Sequence, residues 1–463
     1  MNRAWSIFTL QDTVASRWIQ SSLFNWVSSY FRQWHKASWV LQWTETIGIL
    51  LVGLVFGLAP FVSTTMIGIL LLCCAGFWVV LTLTDSDGLN ITPIHIPVGV
   101  YWAIATIATA FSDVRSQAIE GWIKFTLYLL LFLLLSRLMR SPQCRTIVIS
   151  VYLLVATFVS IFGLRQWIFG VDALATWVDP ESSLAGTTRV YSYLGNPNLL
   201  AGYLIPAVIL SAAAIFFWKA WGLKLLSVVM LFTNMACLVF TFSRGGWIGF
   251  VVAGFAFLLL LIYWILPKLP RFWSIWLMPI VLGGTTTFLT IAVSTVEPLR
   301  DRVSSIFAGR EDSSNNFRIN VWNSVIEMIQ ARPILGIGPG NDAFNAVYPY
   351  YQEPNFTALS AYSVYLEIAV ETGFVGLACF FWLMLVTFSH GWKQMNRLRA
   401  IRHQDGFWLM AAIATMVGML AHGLVDTVWY RPQVSTLWWL MIALVASYVA
   451  NDQERQQHTP NKP

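Results

Sequence analysis

Residues 295–358 read TVEPLRDRVSSIFAGREDSSNNFRINVWNSVIEMIQARPILGIGPGNDAFNAVYPYYQEPNFTA, a polar stretch rich in glycine and proline inside an otherwise apolar sequence. Its charged groups and irregular backbone would have no partners in the hydrocarbon of a bilayer, so it does not span one. It contains Arg300, Arg302, Arg310, Arg318, Arg332, Trp322, Phe344, Tyr348, Tyr350 and Tyr351. This aromatic content exceeds that of disordered segments, so we predict a folded helical cap against one membrane face.

The composition outside this stretch is that of a membrane protein. Of the 463 residues 57% are hydrophobic and 11% charged, and the mean hydropathy is +0.64. These values exclude a soluble globular protein. The net charge of +6 arises from lysines and arginines in short loops between apolar runs, a pattern that orients membrane proteins, so we predict no nucleic-acid partner. The five cysteines form no CxxC pair, and we predict no disulfide, metal site or cofactor.

The apolar runs predict an all-α, polytopic transmembrane bundle of about twelve spans, with the cap inserted between spans nine and ten. The first run is short and abuts Pro60, so a re-entrant pair or one kinked element is an alternative to two separate spans. The predicted spans are 46–60, 64–83, 95–111, 121–137, 146–166, 198–217, 223–242, 246–266, 273–294, 359–388, 407–425 and 433–450. The predicted domains are an interfacial segment (1–45), the first part of the bundle (46–294), the cap (295–358), the second part of the bundle (359–450) and a tail (451–463).

The distribution of basic residues predicts the orientation. Trp26, Tyr30 and Trp34 recur every four residues near the start, which is typical of a helix lying on a membrane surface. Placing both termini and the short basic loops on one side gathers 17 of the 28 lysines and arginines there. We therefore predict an inner-membrane protein with cytoplasmic termini and a periplasmic cap.

The predicted outer side carries three unusual turns. They are YLGNPN (193–198), TFSRGG (241–246) and DTVWYR (426–431). Glycine, asparagine and proline form tight turns here, and an arginine near membrane depth is costly unless it pairs or binds an anion. Arg244 is the most constrained of these arginines, because only a few residues separate two spans around it.

Glu367 and Glu371 lie one helical turn apart near the outer end of the tenth span. The simplest interpretation is that both carboxylates pair with nearby arginines and hold the cap, although a functional role stays open. Upstream, residues 317–322 and RPILGIGPG (332–340) predict an amphipathic helix that ends in a glycine turn. This turn does not resemble a nucleotide-binding loop, because no Lys-Ser/Thr pair follows it.

The order of these motifs carries a resemblance to a known family. GNPNLLA (195–201), TFSRGG (241–246), RINVW (318–322), RPILGIGPG (332–340) and YLEIAVETG (365–373) occur in the order found in the O-antigen ligase superfamily. The resemblance extends from about residue 45 to about residue 450. Within the superfamily, the sequence most resembles the cyanobacterial IctB family, whose members are described as bicarbonate transporters.

The resemblance implies a function at the outer face of the membrane. Proteins of the superfamily transfer a glycan from undecaprenyl diphosphate to a lipid-linked acceptor by a metal-independent, inverting mechanism. The arginines that hold the diphosphate in the family match Arg244 and Arg318 here. The implied partners are therefore membrane lipids, a polyprenyl-diphosphate-linked glycan and a lipid or glycan acceptor. Guanidinium groups suit this role, since their planar forks bind phosphate oxygens and offset charge on a leaving diphosphate.

The sequence differs from the family at the position of the proposed catalytic base. The ligases carry a histidine where this chain has Tyr362, and an unperturbed tyrosine with a pKa of about 10 is a poor base at neutral pH. His422 and Asp426, one turn apart, form a candidate base and its orienting carboxylate, although a buried structural histidine is the simpler interpretation. The supporting site residues are Glu367, Glu371, Asn196, Asn198 and Arg431.

Three hypotheses follow for the function. The first is a glycan transferase, polymerase or lipid-diphosphate binder of the IctB type that acts at the outer face. The second is a bicarbonate transporter, or an accessory factor in the accumulation of inorganic carbon, with bicarbonate as the partner. Transporters usually place ion sites near the bilayer midplane on repeated halves, whereas the charges here gather toward the outer end. The third is a non-catalytic relative that keeps only anion binding.

Overall fold

The protein is a bundle of apolar helices in a computed structural model that describes residues 3–10, 43–84, 91–171, 188–295, 300–301, 303–304 and 308–458. Within these residues, eight helices are long and apolar enough to cross a membrane, and four shorter apolar helices bring the set to twelve. The described residues contain no strand. The predicted all-α, polytopic bundle is confirmed.

The helices carry labels in chain order. They are α1 (Arg3–Phe8), α2 (Thr44–Leu58), α3 (Thr64–Thr84), α4 (His95–Ala110), α5 (Arg115–Leu138), α6 (Pro142–Phe169), α7 (Pro197–Phe217), α8 (Trp221–Phe240), α9 (Arg244–Ile265), α10 (Arg271–Thr295), α11 (Ser313–Ala331), α12 (Asn341–Val347), α13 (Val364–Ala400), α14 (Gly406–His422) and α15 (Pro432–His458). The cap consists of α11, α12 and the loops that flank them.

Helices α7 and α15 form the centre of the bundle. In the most apolar 18-residue stretch of α7, 83% of the residues are buried, and in that of α15 all are buried. The corresponding share is 28% in both α8 and α9. Helix α7 begins with an asparagine cap: the Asn196 side chain accepts hydrogen bonds from the backbone N–H groups of Asn198 and Leu199, and Pro197 occupies the first helical position. Asn196 therefore has a structural role at the start of the central helix.

The chain start packs against the bundle. The indole of Trp382 on α13 donates to the carbonyl of Phe8 (2.9 Å), and His390 Nε2 lies 3.0 Å from the carbonyl oxygen of Thr9. Residues 11–42, which contain the predicted surface helix, lie outside the described residues. The first two predicted spans correspond to two separate helices, α2 and α3.

The cap is joined to α13 through a break in that helix. Gly373 has a φ of 68°, so α13 is interrupted there, and glycine tolerates this conformation because it has no Cβ. The carbonyls freed by the break accept from the cap: Ile337 N–H donates to Val370 O (2.9 Å) and Gly338 N–H to Glu371 O (2.9 Å). In return, Phe374 N–H donates to Pro333 O (2.8 Å). The RPILGIGPG turn is thus a backbone connection into the membrane helix.

The cap has a small apolar core of its own, built from Val321, Val325, Met328, Ile337, Phe344 and Tyr348, all buried. It also contacts α5 closely: a Cβ on Gly121 would lie 2.0 Å from the carbonyl oxygen of Pro339 and 2.5 Å from the Gly340 Cα. Only glycine fits at this crossing, because any side chain would collide with backbone. The cap therefore sits directly on the bundle.

Candidate functional site

Three arginines from separate parts of the chain come together beneath the cap. Arg244 is the first residue of α9, where the Ser243 side chain caps the helix by accepting from Gly246 N–H (3.2 Å). Arg318 lies on α11 of the cap, and Arg189 precedes α7. Because helix starts and the cap meet at one end of the bundle, residues far apart in sequence share one site.

Each arginine is held by a defined partner. Arg244 Nη2 lies 2.8 Å from Asp312 Oδ1, and the Arg244 side chain is only 7% exposed. Arg318 Nη1 donates to the Ser314 hydroxyl (2.8 Å), while its Nε is buried without a hydrogen-bond partner among the described residues. These contacts orient the two guanidinium groups.

Arg189 was not among the predicted site residues. Its Nε donates to the carbonyl of Thr241 (3.1 Å) and its Nη2 to Asn198 Oδ1 (3.3 Å). The predicted supporting residue Asn198 therefore positions Arg189. The sequence signal was present only in part, as a basic residue just before the GNPN turn.

The three positive charges act on one another. Burial lowers the pKa of Arg189, and the nearby Arg244 and Arg318 lower it further, while Asp426 opposes the shift. Burial also lowers the pKa of Arg318, with Asp426 acting upward and Arg244 downward. The protein therefore places three cations against two aspartates, Asp312 and Asp426. Such an excess of positive charge is costly when it is buried, and an anion at this place would offset it.

Tyr362 lies at the edge of this cluster, in the loop that leads into α13. It has a φ of 49°, and its ring packs edge-on against Phe317 with 5.4 Å between centroids. Burial raises the pKa of Tyr362 to about 12, with Asp426 and Tyr430 adding to the shift and Arg318 opposing it. The phenol is therefore neutral at physiological pH and can donate a hydrogen bond.

His422 is enclosed at the end of α14. It is 1% exposed, and its ring lies between α7 and α9: a Cβ on Gly245 would lie 2.8 Å from His422 Cδ2, and one on Gly202 would lie 3.4 Å from Cε1. Its Nε2 has no hydrogen-bond partner among the described residues. Asp426 does not bond to the ring; its Oδ1 accepts from Thr427 N–H (2.8 Å). The two residues are close in sequence but are not joined by a hydrogen bond.

Glu367 and Glu371 bind backbone N–H groups, and neither forms an ion pair with an arginine of the described residues. Glu367 Oε2 accepts from Ala361 N–H (2.6 Å), and Glu371 Oε1 accepts from Gly340 N–H (2.6 Å). The interpretation that they pair with arginines is therefore wrong. Buried amide groups of the cap loops need acceptors, and these carboxylates supply them.

The two glutamates line a cavity of about 810 Å³ between α3, α4, α5, α13 and α15, which we call the lateral cavity. Arg431, the last predicted supporting residue, is exposed at this cavity, with its guanidinium 5.1 Å from the Tyr430 ring. The predicted residues thus divide between two places. Arg244, Arg318, Asn198, Tyr362 and Asp426 lie at the arginine cluster, and Glu367, Glu371 and Arg431 lie at the lateral cavity. No group of three or more His, Cys, Asp or Glu residues in the described part of the chain is arranged to hold a metal ion.

The fold and the site define a polytopic helical membrane protein with a capped, positively charged site at one end of the bundle. Residues 225–381 match the protein family described as O-Antigen ligase. The matched region runs from α8 into α13, so it contains Arg244, Arg318, the cap and both glutamates but neither Arg189 nor His422. The match supports an O-antigen ligase-like membrane protein. A search of curated proteins returned no match.

Proposed function

We propose that the protein binds a polyprenyl-diphosphate-linked glycan at the arginine cluster and transfers the glycan to an acceptor. The observation that carries the proposal is the convergence of Arg189, Arg244 and Arg318, whose charges exceed those of the neighbouring aspartates. A diphosphate carries several negative oxygens in a small volume. Planar guanidinium groups from three directions match that arrangement better than a single cation does.

The same arrangement favours the chemistry of transfer. When the bond between the sugar and the diphosphate breaks, negative charge develops on the leaving oxygen. Buried arginines stabilise this charge strongly, because little water competes with them. Tyr362, neutral and close to Arg318, is placed to donate a further hydrogen bond to the leaving group. It does not serve as the base.

The proposed orientation is periplasmic for the cap, as the basic loops predict, because lipid-linked glycans of this class are used at the outer face of the inner membrane. The second candidate, bicarbonate transport, requires a path across the membrane. The arginine cluster lies at one end of the bundle, which favours a site that works at one surface.

Binding of undecaprenyl diphosphate to the purified protein in detergent tests the proposal. Charge-assisted contacts contribute about 1.5 to 3 kcal/mol each, so Arg244→Ala or Arg318→Ala is expected to weaken binding by roughly tenfold to a hundredfold. Arg165→Ala is the matched control, since Arg165 is an exposed arginine near the same end of the bundle, with its guanidinium 5.7 Å from the centre of the Phe162 ring. Equal affinity for all four proteins, or uptake of labelled bicarbonate by proteoliposomes without lipid binding, would contradict the proposal.

A further inference from the structure

The lateral cavity is amphiphilic along its length. Its apolar wall contains residues of four helices, Ile69, Leu72, Ile123, Phe380, Leu383 and Trp438. Its polar end, under the cap, contains Glu367, Glu371 and the Lys124–Asp342 ion pair (2.9 Å). Ile69 and Leu72 on α3 are exposed, so this wall meets the surrounding lipid. A cavity with this division fits a membrane lipid whose chain lies among the helices and whose polar head reaches the carboxylates.

Glu367 differs from the other polar groups of this cavity. It is 8% exposed, and its Oε2 is fixed by the Ala361 N–H, so the carboxylate cannot rotate freely. Its Oε1 has no hydrogen-bond partner among the described residues. A buried carboxylate oxygen without a partner is costly, and a hydroxyl group supplied by a ligand would satisfy it. Glu371 likewise holds one backbone N–H, that of Gly340, but neither of its oxygens is buried without a partner among the described residues.

The polar end of the cavity adjoins the arginine cluster. Ala361, which Glu367 binds, precedes Tyr362, whose phenol responds to the charges of Asp426 and Arg318. Thr427, next to Asp426, lines the cavity, and its hydroxyl donates to the Ser360 hydroxyl (2.5 Å). Residues 360–362 and 426–427 therefore border both places. A donor held at the arginine cluster and an acceptor in the lateral cavity would meet at this border.

We propose that the lateral cavity holds a lipid acceptor and that Glu367 is the catalytic residue that removes the proton from its hydroxyl group. This inference rests on the proposed function. The acceptor oxygen then attacks the anomeric carbon, and the bond from that carbon to the diphosphate oxygen breaks. The electron pair leaves with the diphosphate, which the arginines hold, and the proton stays on Glu367 until water removes it. The products are the glycosylated lipid and undecaprenyl diphosphate.

The enclosure of His422 supports the choice of Glu367. A general base must come within about 3 Å of the hydroxyl it deprotonates, or reach it through one water. His422 is 1% exposed between two helices and does not line the lateral cavity, whereas Glu367 does. Of these two candidate bases, only the carboxylate of Glu367 therefore borders the space that an acceptor would occupy.

The first test measures the release of undecaprenyl diphosphate by purified full-length protein. The substrate is total lipid extracted from a strain that lacks the protein, which supplies both donor and acceptor. Glu367→Gln keeps the size of the side chain and an oxygen for the Ala361 N–H, but it cannot take a proton. General bases contribute about 10² to 10⁴ in rate, so we expect at least a hundredfold loss of turnover with donor affinity changed less than twofold. Glu367→Asp is expected to restore part of the rate.

The control for this variant is Glu327→Gln, which removes an exposed carboxylate from the cap helix α11 and should leave turnover unchanged. Full turnover by Glu367→Gln would overturn the inference and leave the proposed function standing. Wild-type protein that does not bind undecaprenyl diphosphate, or that binds the donor but releases none, would instead refute the proposed function, and the inference with it. The binding and release measurements therefore separate the two failures.

The second test fills the cavity without touching its polar end. Gly68 on α3 lines the cavity, and a Cβ there would meet no atom within 4 Å, so Gly68→Trp projects a ring into open space. Gly76, two turns along the same helix, is equally open but does not line the cavity. We expect Gly68→Trp to reduce release at least tenfold with donor affinity intact, and Gly76→Trp to behave as wild type. Equal activity of the two variants would show that the acceptor does not use this cavity.

Discussion

Two buried arginine environments lie at opposite ends of the bundle, and they differ in how charge is balanced. Arg145, 1% exposed, forms an ion pair with Asp405 (2.7 Å), donates to the carbonyl of Met139 and stacks over the Tyr448 ring at 4.0 Å. One cation faces one anion there. The cluster of Arg189, Arg244 and Arg318 carries more positive than negative charge. Burial of an arginine is therefore common to both ends, and only the surplus of charge indicates a ligand site.

The largest effect is expected from a test of orientation. The arginine cluster is predicted to face the periplasm and the Arg145–Asp405 pair the cytoplasm. In a cysteine-free parent, Ser313→Cys on the cap is expected to react fully with a membrane-impermeant maleimide in intact spheroplasts. His403→Cys, exposed at the Arg145 end, should react only after permeabilisation. Labelling in the reverse order would exclude a periplasmic cap and with it the proposed donor.

The next largest effect concerns the balanced pair. Asp405→Asn leaves Arg145 buried without its anion, and breaking a buried pair in this way costs about 3 to 5 kcal/mol. We expect a large fall in the thermal unfolding temperature, with donor affinity of the folded protein unchanged because the pair is at the far end. The double variant Arg145→Met with Asp405→Leu should recover most of the loss. An altered donor affinity in Asp405→Asn would mean that the two ends are coupled.

How well the sequence predicts the structure around the two arginine environments depends on the kind of contact that forms each feature. Apolar runs predicted the helices, because each helix needs only local hydrophobicity. Arg244 and Arg318 were predicted as site residues from their motifs, and that prediction stays open. Arg189 was missed because its partners, Thr241 and Asn198, belong to other turns. Local spacing does not reveal contacts between turns.

The connection between the cap and α13 likewise could not be predicted from the sequence. The predicted span at 359–388 is a helix from Val364 to Ala400 that is broken at Gly373. Backbone hydrogen bonds from Ile337 and Gly338 fill that break. Such bonds leave no side-chain pattern, since any residue with an N–H group can form them. For the same reason, the sequence did not show that Glu367 and Glu371 bind backbone N–H groups and not arginines.

A smaller effect is expected at His422, and it separates the two candidate bases. His422→Ala removes a packed ring between Gly202 and Gly245, which should cost about 2 kcal/mol or more in unfolding free energy. We expect glycan transfer to persist at a tenth of the wild-type rate or better. Gly245→Ala alone should also destabilise the protein, because its Cβ would lie 2.8 Å from the ring, and His422→Ala should relieve that clash. Abolished transfer with intact lipid binding would restore His422 as the base.

The smallest effect is expected at Tyr362, although the resemblance to the O-antigen ligases matches this position to their histidine. Because burial raises the pKa of Tyr362 to about 12, the phenol keeps its proton throughout the range in which the protein is assayed. Tyr362→Phe removes one hydrogen-bond donor at the edge of the arginine cluster and keeps the ring packed on Phe317. One neutral hydrogen bond contributes about 0.5 to 1.5 kcal/mol, so transfer should fall by roughly twofold to tenfold. The ratio of wild-type to variant rates should stay constant between pH 6 and 10, since Tyr362 does not ionise there. A ratio that rises steeply with pH would show that the phenolate acts as the base, and the distinction between an arginine cluster that holds the donor and a carboxylate that activates the acceptor would then fail.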